Sequence, residues 1–451
     1  MLDFPAIFDL PNDDTIVAIA TPPGRSALGI LRISGPRAIE ITDMIWRGEQ
    51  KVADLPAAVS RVGALRLLNG IVDKAVITLW RSPKSYTGQD LVEFTLHGNP
   101  SLLASAEREI IRHGARIAGP GEFTYRAVLN GKLDLSEAGA ISALIEAPNI
   151  AAARAASRTL GGEFSNRCWG IIESLIDLET GLTAETEFPE YVESSGFEAI
   201  IERIREVKAK IESLYKESLM GHAAGETNVV VIAGPTNVGK STLANALLGR
   251  SRSIVHHEPG TTRDLIEAEC SFGQISATLV DTAGLRDTGD GIEVIGVNLA
   301  HNRLAEADLV LLVLDGSREQ AEEDRIALQK SSEVNRIIVL NKKDIGIESS
   351  HKGDIEISAS LGDGIEELRE MVSQNLLREG TEMLWAGSWQ IERLGVALEA
   401  VNNALEGAEK NAFDASCDEL VEGSKNLKMA LGENISEDIL ARVFENFCIG
   451  K

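Results

Sequence analysis

Apolar and polar residues alternate along the first part of the chain in short runs, a pattern that predicts β-strands separated by turns. The strand-like runs cover residues 15–21, 27–35, 62–68, 75–81 and 91–98, and helical periodicity covers 36–46 and 100–113. Strands and helices that alternate with short connections predict a compact α/β domain. We assign residues 1–131 to this domain.

Two later parts of the chain carry apolar residues at the spacing of three or four that is typical of amphipathic helices. These stripes are Ile171, Leu175, Leu178 and Leu182; Ile200, Ile204, Val207, Ile211 and Leu214; Leu394, Leu398, Val401 and Leu405; and Ile439, Val443 and Phe447. Helix packing explains such stripes more often than a cofactor site does. We therefore predict one helical domain of residues 132–221 and 378–451, interrupted by a domain of residues 222–377, because compact domains with neighbouring termini tolerate insertion.

The inserted segment opens with a strand, a glycine-rich loop and a helix. The buried strand 229–233 runs into GPTNVGKST, which fits the pattern G-x-x-x-x-G-K-[ST]. Glycines let backbone N–H groups surround a phosphate, and the helix start adds the positive end of its dipole. Lys240 can reach the β- and γ-phosphates, and the Ser241 hydroxyl can bind Mg²⁺. The contacts expected from this loop are Asn237, Val238, Gly239, Lys240, Ser241 and Thr242.

Three further motifs follow apolar strands and indicate that the base is guanine. They are Asp281, Thr282, Ala283 and Gly284 (D-T-A-G); Asn341, Lys342 and Asp344 (N-K-x-D); and Ser358 with Ala359. Asp281 is expected near the metal. The Asp344 carboxylate can accept both the N1–H and the 2-amino group of guanine, a donor pair that adenine lacks. All four motifs in chain order predict a Ras-like P-loop GTPase domain.

Composition narrows the class of protein further. The chain of 451 residues has 69 acidic and 44 basic residues, a net charge of −25. Proteins that bind nucleic acid through bulk electrostatics usually carry the opposite charge, so any RNA contact should be local or supplied by a partner. The four cysteines include no C-x-x-C pair, which argues against a zinc site or a disulfide framework. With no signal peptide and no apolar run of membrane length, we expect a cytoplasmic protein.

Several longer motifs are shared with one family. They are TPPGR, GILRISG, SYTG followed by LVEFTLHG, PGEFTYRA, NGKLDLSEA, GTTRD, DTAGLRDT and the terminal FCIGK. Through them the chain resembles, over nearly its whole length, the MnmE (TrmE) family of GTPases that modify the wobble uridine of transfer RNA. The resemblance implies GTP hydrolysis coupled to addition of an aminomethyl or carboxymethylaminomethyl group at carbon 5 of that uridine.

The resemblance also implies that the N-terminal domain dimerises and binds a reduced folate, such as 5-formyl- or methylene-tetrahydrofolate, as one-carbon donor. The matching residues are Arg32, Glu93, Lys132 and the terminal Lys451, with Cys448 near the same pocket. Cationic groups suit the glutamate carboxylates of a folate, and a carboxylate suits the N–H donors of its pterin. Without the resemblance, the charged residues would be interpreted as ordinary surface charges and Cys448 as a structural thiol.

A flavoprotein partner is implied as well. In the family, the homodimer joins MnmG, which binds FAD and NADH, in a heterotetramer that acts on transfer RNA. The sequence has no G-x-G-x-x-G after its first strand, so the flavin and the hydride are assigned to the partner.

The residue after D-T-A-G cannot orient the attacking water. Many small GTPases have a glutamine there, whereas this chain has Leu285. The resemblance assigns the task to Glu293, acting through an intervening water molecule. From the sequence alone, Glu293 could equally be a solvated glutamate at the start of a helix.

The resemblance further implies that a potassium ion supplies the positive charge that an arginine finger supplies in other GTPases. The implied ligands are Asn237 through its side chain and His256, Glu258 and Thr261 through backbone oxygens. Thr262 is then expected to reach Mg²⁺ together with Ser241. His256, Thr261 and Thr262 are also expected to contact GTP.

Two other functions fit parts of the sequence. A GTP-driven assembly switch, such as a ribosome-maturation GTPase, would use the same nucleotide motifs without modifying RNA. A folate-binding sensor would use the N-terminal motifs without chemistry of its own. The N-terminal motifs and FCIGK favour the modification enzyme over the switch, because an assembly factor needs no folate pocket.

Overall fold

Two compact units make up the computed structural model of the chain. One comprises Met1–Ile145, Ala156–Leu219 and Leu384–Lys451, and the other Glu146–Ala155 and Met220–Met383. The structure describes residues 12–67, 70, 72–187, 196–225, 228–249, 267–273, 275–281, 307–332, 334–348, 352–376, 382–434, 436, 439–440, 443–444, 447 and 449–450. The domain boundaries given above, after residues 131, 221 and 377, stay predictions.

The described residues form strands and helices in the following order. The strands are β1 Ile16–Ile19, β2 Leu28–Ser34, β3 Trp46–Arg47, β4 Ser60–Arg66, β5 Val72–Trp80, β6 Leu91–His97, β7 Arg116–Ile117, β8 Asn228–Ala233, β9 Glu267–Phe272, β10 Ile275–Asp281, β11 Leu309–Asp315, β12 Arg336–Asn341 and β13 Ile355–Glu356. The helices are α1 Ala38–Ile45, α2 Pro100–Arg112, α3 Glu122–Leu129, α4 Leu135–Glu146, α5 Ile150–Leu160, α6 Glu163–Glu187, α7 Gly196–Ala223, α8 Lys240–Leu248, α9 Glu322–Lys330, α10 Ile365–Leu376, α11 Ser388–Glu409 and α12 Phe413–Ala430.

The first unit contains a seven-stranded sheet in the order β3-β4-β5-β6-β2-β1-β7. One face packs against α1 and α2, because every second residue of these strands is apolar and lies on that face. On the other face, Ile30 lies opposite Thr95, Thr95 opposite Val76, and Val76 opposite Val62. Val62 is 72% exposed, and Leu28 at the start of β2 is 59% exposed. We call these five residues the open sheet face.

The helical part of the same unit is built from two distant segments of the chain. Helices α6 and α7 share one apolar core with α11 and α12, in which Leu175, Ile204, Leu394 and Leu427 are almost completely buried. The interrupted helical bundle expected from the apolar stripes is therefore confirmed. No helix in the described part of the chain is long and apolar enough to cross a membrane.

The second unit contains a six-stranded sheet in the order β13-β12-β11-β8-β10-β9. All neighbouring pairs are parallel except β9 with β10. Helices α8 and α10 contribute Leu243 and Leu368 to its core. Because parallel strands end at one edge of a sheet, the segments that follow β8, β10, β11, β12 and β13 lie at the same edge. This is the topology expected of the predicted P-loop GTPase domain.

Candidate functional site

The loop between β8 and α8 is shaped by two glycines. Gly234 and Gly239 have φ angles of +143° and +98°, which favour glycine strongly. A Cβ atom on Gly234 would lie 2.1 Å from the Val313 carbonyl oxygen, and one on Gly239 would lie 2.3 Å from Asn341 Nδ2. A side chain at either position would clash with the protein itself, so the loop can pack this closely against β11 and Asn341 only with glycine there.

Helix α8 begins at Lys240, directly after the loop. The Lys240 ammonium donates to the carbonyl oxygens of Gly234 at 2.9 Å and Pro235 at 2.5 Å, so its charge lies at the loop. Ser241 and Thr242 are exposed in the first turn, where backbone N–H groups lack intrahelical acceptors. Asn237 is also exposed and has a φ of +61°. The arrangement presents a cation, hydroxyls and amide donors together.

The amide of Asn341 joins the phosphate loop to the two base motifs. Asn341 is 3% exposed; its Nδ2 donates to the Val238 carbonyl oxygen at 2.8 Å. Its Oδ1 accepts a hydrogen bond of 3.0 Å from the Ala359 backbone N–H. Beside it, the Ser358 hydroxyl donates to Asp344 Oδ1 at 2.6 Å. The structure thus brings Val238, Asn341, Asp344 and the Ser358–Ala359 pair together.

Sequence reasoning missed one charged residue at this edge, Asp315. It ends β11 opposite Asn341 and accepts a hydrogen bond of 2.7 Å from Lys342 Nζ. Burial acts to raise the pKa of the Asp315 carboxyl, but the hydrogen bonds from Lys342 and Ser317 outweigh it, so the pKa is lowered. A signal was available, because Asp315 ends an apolar strand just as Asp281 and Asn341 do.

Several predicted nucleotide residues lie outside the described residues. They are His256, Glu258, Thr261, Thr262, Thr282, Ala283, Gly284 and Glu293. The backbone of Asp281 ends β10, where it pairs with Ile232 of β8.

A second cluster of predicted residues lies in the first unit. Arg32 on β2 and Glu93 on β6 are opposite in register, and Arg32 Nε donates to Glu93 Oε1 at 2.7 Å. Arg32 Nη1 also donates to the carbonyl oxygen of Gly450 at 3.0 Å. Both side chains retain some exposure, 16% for Arg32 and 23% for Glu93. The structure therefore joins the predicted Arg32–Glu93 pair to the terminal segment.

Two aromatic rings hold the Arg32 guanidinium, and sequence reasoning did not assign them. The guanidinium carbon lies 5.5 Å from the centre of the Tyr86 ring and 5.6 Å from that of Phe123, within the range of cation–π contacts. The Tyr86 hydroxyl is 2.7 Å from Thr124 Oγ1. Burial raises the pKa of the Tyr86 phenol, against the opposing effects of Thr124 and Arg32. Tyr86 and Phe123 belong to the SYTG and PGEF motifs, which were the available signal.

The other predicted folate residues are Lys132, after α3, and Cys448 and Lys451 at the end of the sequence. Lys132 lies in the exposed turn after α3, and its backbone N–H donates to Ala127 O at 2.8 Å. Cys448 and Lys451 lie outside the described residues. Ile449, which follows Cys448, forms a β-bridge with Pro120.

Comparison with known proteins identifies the family of the chain. Residues 15–132 match the family described as "GTP-binding protein TrmE N-terminus", and residues 135–448 match the "MnmE helical domain". The tRNA modification GTPase MnmE of Thermus thermophilus is 39% identical over 97% of this chain and 99% of its own length. The protein of the same description from Aquifex aeolicus is 37% identical over 97% of this chain and 100% of its own length. The chain therefore belongs to the MnmE family of tRNA modification GTPases.

Proposed function

We propose that the protein hydrolyses GTP at the edge of its parallel sheet and couples the reaction to modification of carbon 5 of the wobble uridine in transfer RNA. GTPase activity in tRNA modification follows from family membership. The observation that carries the site assignment is the Asn341 amide, which ties the phosphate loop to the guanine motifs. The added group is an aminomethyl or carboxymethylaminomethyl group.

In this proposal the chain binds GTP through residues with separate tasks. Backbone N–H groups of the loop and Lys240 hold the phosphates, and Asp344 accepts the two guanine donors. The Ala359 backbone N–H, which donates to Asn341 Oδ1 in this structure, would be shared with the base when guanine is bound. Ser241 and Thr262 would hold Mg²⁺, which neutralises phosphate charge when bound. Ser241 is exposed in the first turn of α8, directly after the phosphate loop, and its hydroxyl suits that role.

Hydrolysis needs a group that orients water and a positive charge near the β–γ bridge. Leu285 can provide neither, and the family resemblance assigns the first task to Glu293. Asn237 is a suitable first ligand for K⁺, which would supply the charge, because its exposed carboxamide lies in the phosphate loop. His256, Glu258 and Thr261 would complete the ligand set through backbone oxygens.

The Arg32–Glu93 pair supports the proposed folate site. A guanidinium bound to a carboxylate is partly neutralised and is a weaker site for a separate carboxylate tail. The pair instead offers a donor and an acceptor side by side, which matches the pterin edge with its N–H donors beside a carbonyl oxygen. Lys132 and Lys451 remain the cations proposed for the glutamate carboxylates. Cys448 is proposed only as a neighbour of the pocket.

The open sheet face supports the proposed homodimer. Leu28 and Ile30 lie on β2, the strand that carries Arg32, and Val76 on β5 and Val62 on β4 continue this apolar strip across the same sheet. Exposed apolar strips of this kind mark interaction sites. We further propose that the dimer joins an MnmG-like FAD flavoprotein, which would supply much of the basic surface that transfer RNA requires, since this chain has a net charge of −25.

Deletion of the gene should leave the wobble uridines unmodified at carbon 5, as nucleoside analysis of transfer RNA would measure. Restoring the wild-type gene should restore the modification. Normal wobble nucleosides in the deletion strain would reject the proposal in favour of an assembly switch or a sensor.

Removing the Asn237 side chain should abolish most of the stimulation of hydrolysis by potassium. We choose Asn237→Gly because glycine tolerates the φ of +61°. An arginine finger contributes roughly 10³ to 10⁵ in rate, and a cation in its place should supply a substantial part. Single-turnover hydrolysis in potassium and in sodium measures the effect, with Thr236→Ala as the matched control.

The same assay tests the water-orienting residue. Glu293→Ala should bind GTP normally and fail to cleave it in either salt. A fully active Glu293→Ala variant would show that Glu293 does not orient the attacking water.

For the potassium prediction, equal wild-type hydrolysis rates in potassium and in sodium would refute the mechanism.

Arg32→Ala should weaken binding of 5-formyl-tetrahydrofolate at least tenfold, because charge-assisted hydrogen bonds contribute about 1.5–3 kcal/mol each. Affinity for GTP should not change. Calorimetry on the full chain measures both, with the exposed Arg61→Ala on β4 as control. Unchanged folate affinity would remove Arg32 from the site.

Val62→Glu should shift the full-length protein from dimer to monomer in sedimentation velocity at micromolar concentration. A glutamate at this exposed position of the strip would be buried without a partner in the dimer, at a cost of several kcal/mol. Met44→Glu is the control, because Met44 is an exposed apolar residue on α1, which packs on the other face of the sheet. A dimer as stable as the wild type would exclude the open sheet face from the interface.

A further inference from the structure

The left-handed backbone of Lys342 requires an explanation. Its φ of +70° and ψ of 32° lie in the left-handed region, which is unfavourable for a residue with a side chain. Lys342 stands between Asn341, which binds the phosphate loop, and Asp344, which is proposed to read guanine. An error in its conformation would therefore move the residues on both sides.

A buried carboxylate holds the Lys342 side chain. Asp315 is 6% exposed, and its Oδ2 lies 2.7 Å from Lys342 Nζ. Its Oδ1 accepts hydrogen bonds from the Ser317 hydroxyl at 2.6 Å and the Ser317 backbone N–H at 3.1 Å. The Gly316 N–H donates to the Asn341 carbonyl oxygen at 3.0 Å. The end of β11 thus binds the guanine motif through one ion pair and one backbone hydrogen bond.

A second ion pair anchors the same carboxylate to the following helix. Arg318 Nε lies 3.7 Å from Asp315 Oδ2, and Arg318 Nη1 lies 3.0 Å from Asp324 Oδ2. Asp324 is fully buried and accepts the Ala321 N–H at the start of α9. The charges alternate along the series Lys342, Asp315, Arg318 and Asp324, so the Asp315 carboxylate is linked through Arg318 to Asp324 of α9 as well as to the guanine motif.

We propose that Asp315 is a positioning residue for guanine recognition. It holds Lys342, and through the Lys342 backbone it holds the Asn341 amide and the Asp344 carboxylate in the geometry that reads the base. Asp315 belongs to none of the four nucleotide motifs. The inference rests on the proposed role of Asp344.

The test uses the full-length protein and compares the dissociation constants of GDP and IDP. IDP lacks the 2-amino group, so the ratio of the two constants reports the alignment of Asp344 with the base. Asp315→Asn keeps a similar shape and an acceptor for Ser317 but loses the charge that holds Lys342. We expect weaker GDP binding by about tenfold and a GDP preference reduced toward one, since a charge-assisted hydrogen bond contributes about a factor of ten or more.

A double-variant cycle separates positioning from general destabilisation. When Lys342→Met is already present, adding Asp315→Asn should weaken GDP binding by less than a further factor of two, because the ion pair between Asp315 and Lys342 has already been removed. Lys342→Met alone should also lower the GDP preference, which keeps the test decisive if Asp315→Asn folds poorly. Asp308→Asn is the matched control: Asp308 accepts the Val229 N–H at the opposite edge of the sheet, and its loss should not change the ratio.

Two outcomes would overturn the inference. The inference would be rejected if both Asp315→Asn and Lys342→Met kept the wild-type preference for GDP over IDP. It would also be rejected if the effects of the two substitutions on GDP affinity were fully additive in the double variant. Asp344→Ala distinguishes this failure from failure of the site itself. If Asp344→Ala abolishes the GDP preference while Asp315→Asn leaves it unchanged, only the inference fails; if Asp344→Ala has no effect, the proposed guanine site fails.

Discussion

One buried side-chain amide sets the geometry of the nucleotide edge. Asn341 donates to the phosphate loop and accepts from the last base motif, so two segments far apart in sequence are held by one side chain. A buried amide that lost either partner would carry an unsatisfied polar group, which costs about 1–3 kcal/mol. The glycine at position 239 belongs to the same constraint, because any Cβ there would displace Asn341. The phosphate loop and the base motifs are therefore parts of one packing arrangement.

The cluster around Arg32 follows the same principle with a charged group. The guanidinium is oriented by Glu93, by two aromatic rings and by the Gly450 carbonyl oxygen. A planar group held from several directions loses little further freedom when it binds a ligand, which is the general advantage of a preorganised site. The terminal segment contributes to that order through backbone atoms, and the Cβ of any other residue at position 450 would come within 3 Å of Ala20.

The sequence was informative where chemistry is local and less so where it depends on tertiary contacts. Residues 229–242 predict their strand, loop and helix because glycine spacing and apolar periodicity are local signals, and the apolar stripes predict α6, α7 and α11. The two-residue strands β3 and β7 left no periodic signal, because they exist only through their partners. Asp315 and Tyr86 were missed for the same reason: their roles come from Lys342 and Arg32, which are distant in sequence. The roles of Glu293 and of the residues from His256 to Thr262 remain predictions from family resemblance.

The division of the helical bundle between two distant segments affects how the chain can fold. Leu175 and Ile204 share a core with Leu394 and Leu427, so many native contacts join residues about two hundred positions apart. Contacts of such long range form slowly, because the loop between them must lose entropy before the contacts are made. During synthesis, the packing of α6 and α7 against α11 and α12 must wait until the entire nucleotide-binding unit has emerged from the ribosome. Early folding of the inserted unit shortens the effective loop between α7 and α11. It therefore assists formation of the helical core, although the buried residues of that core all come from the first unit.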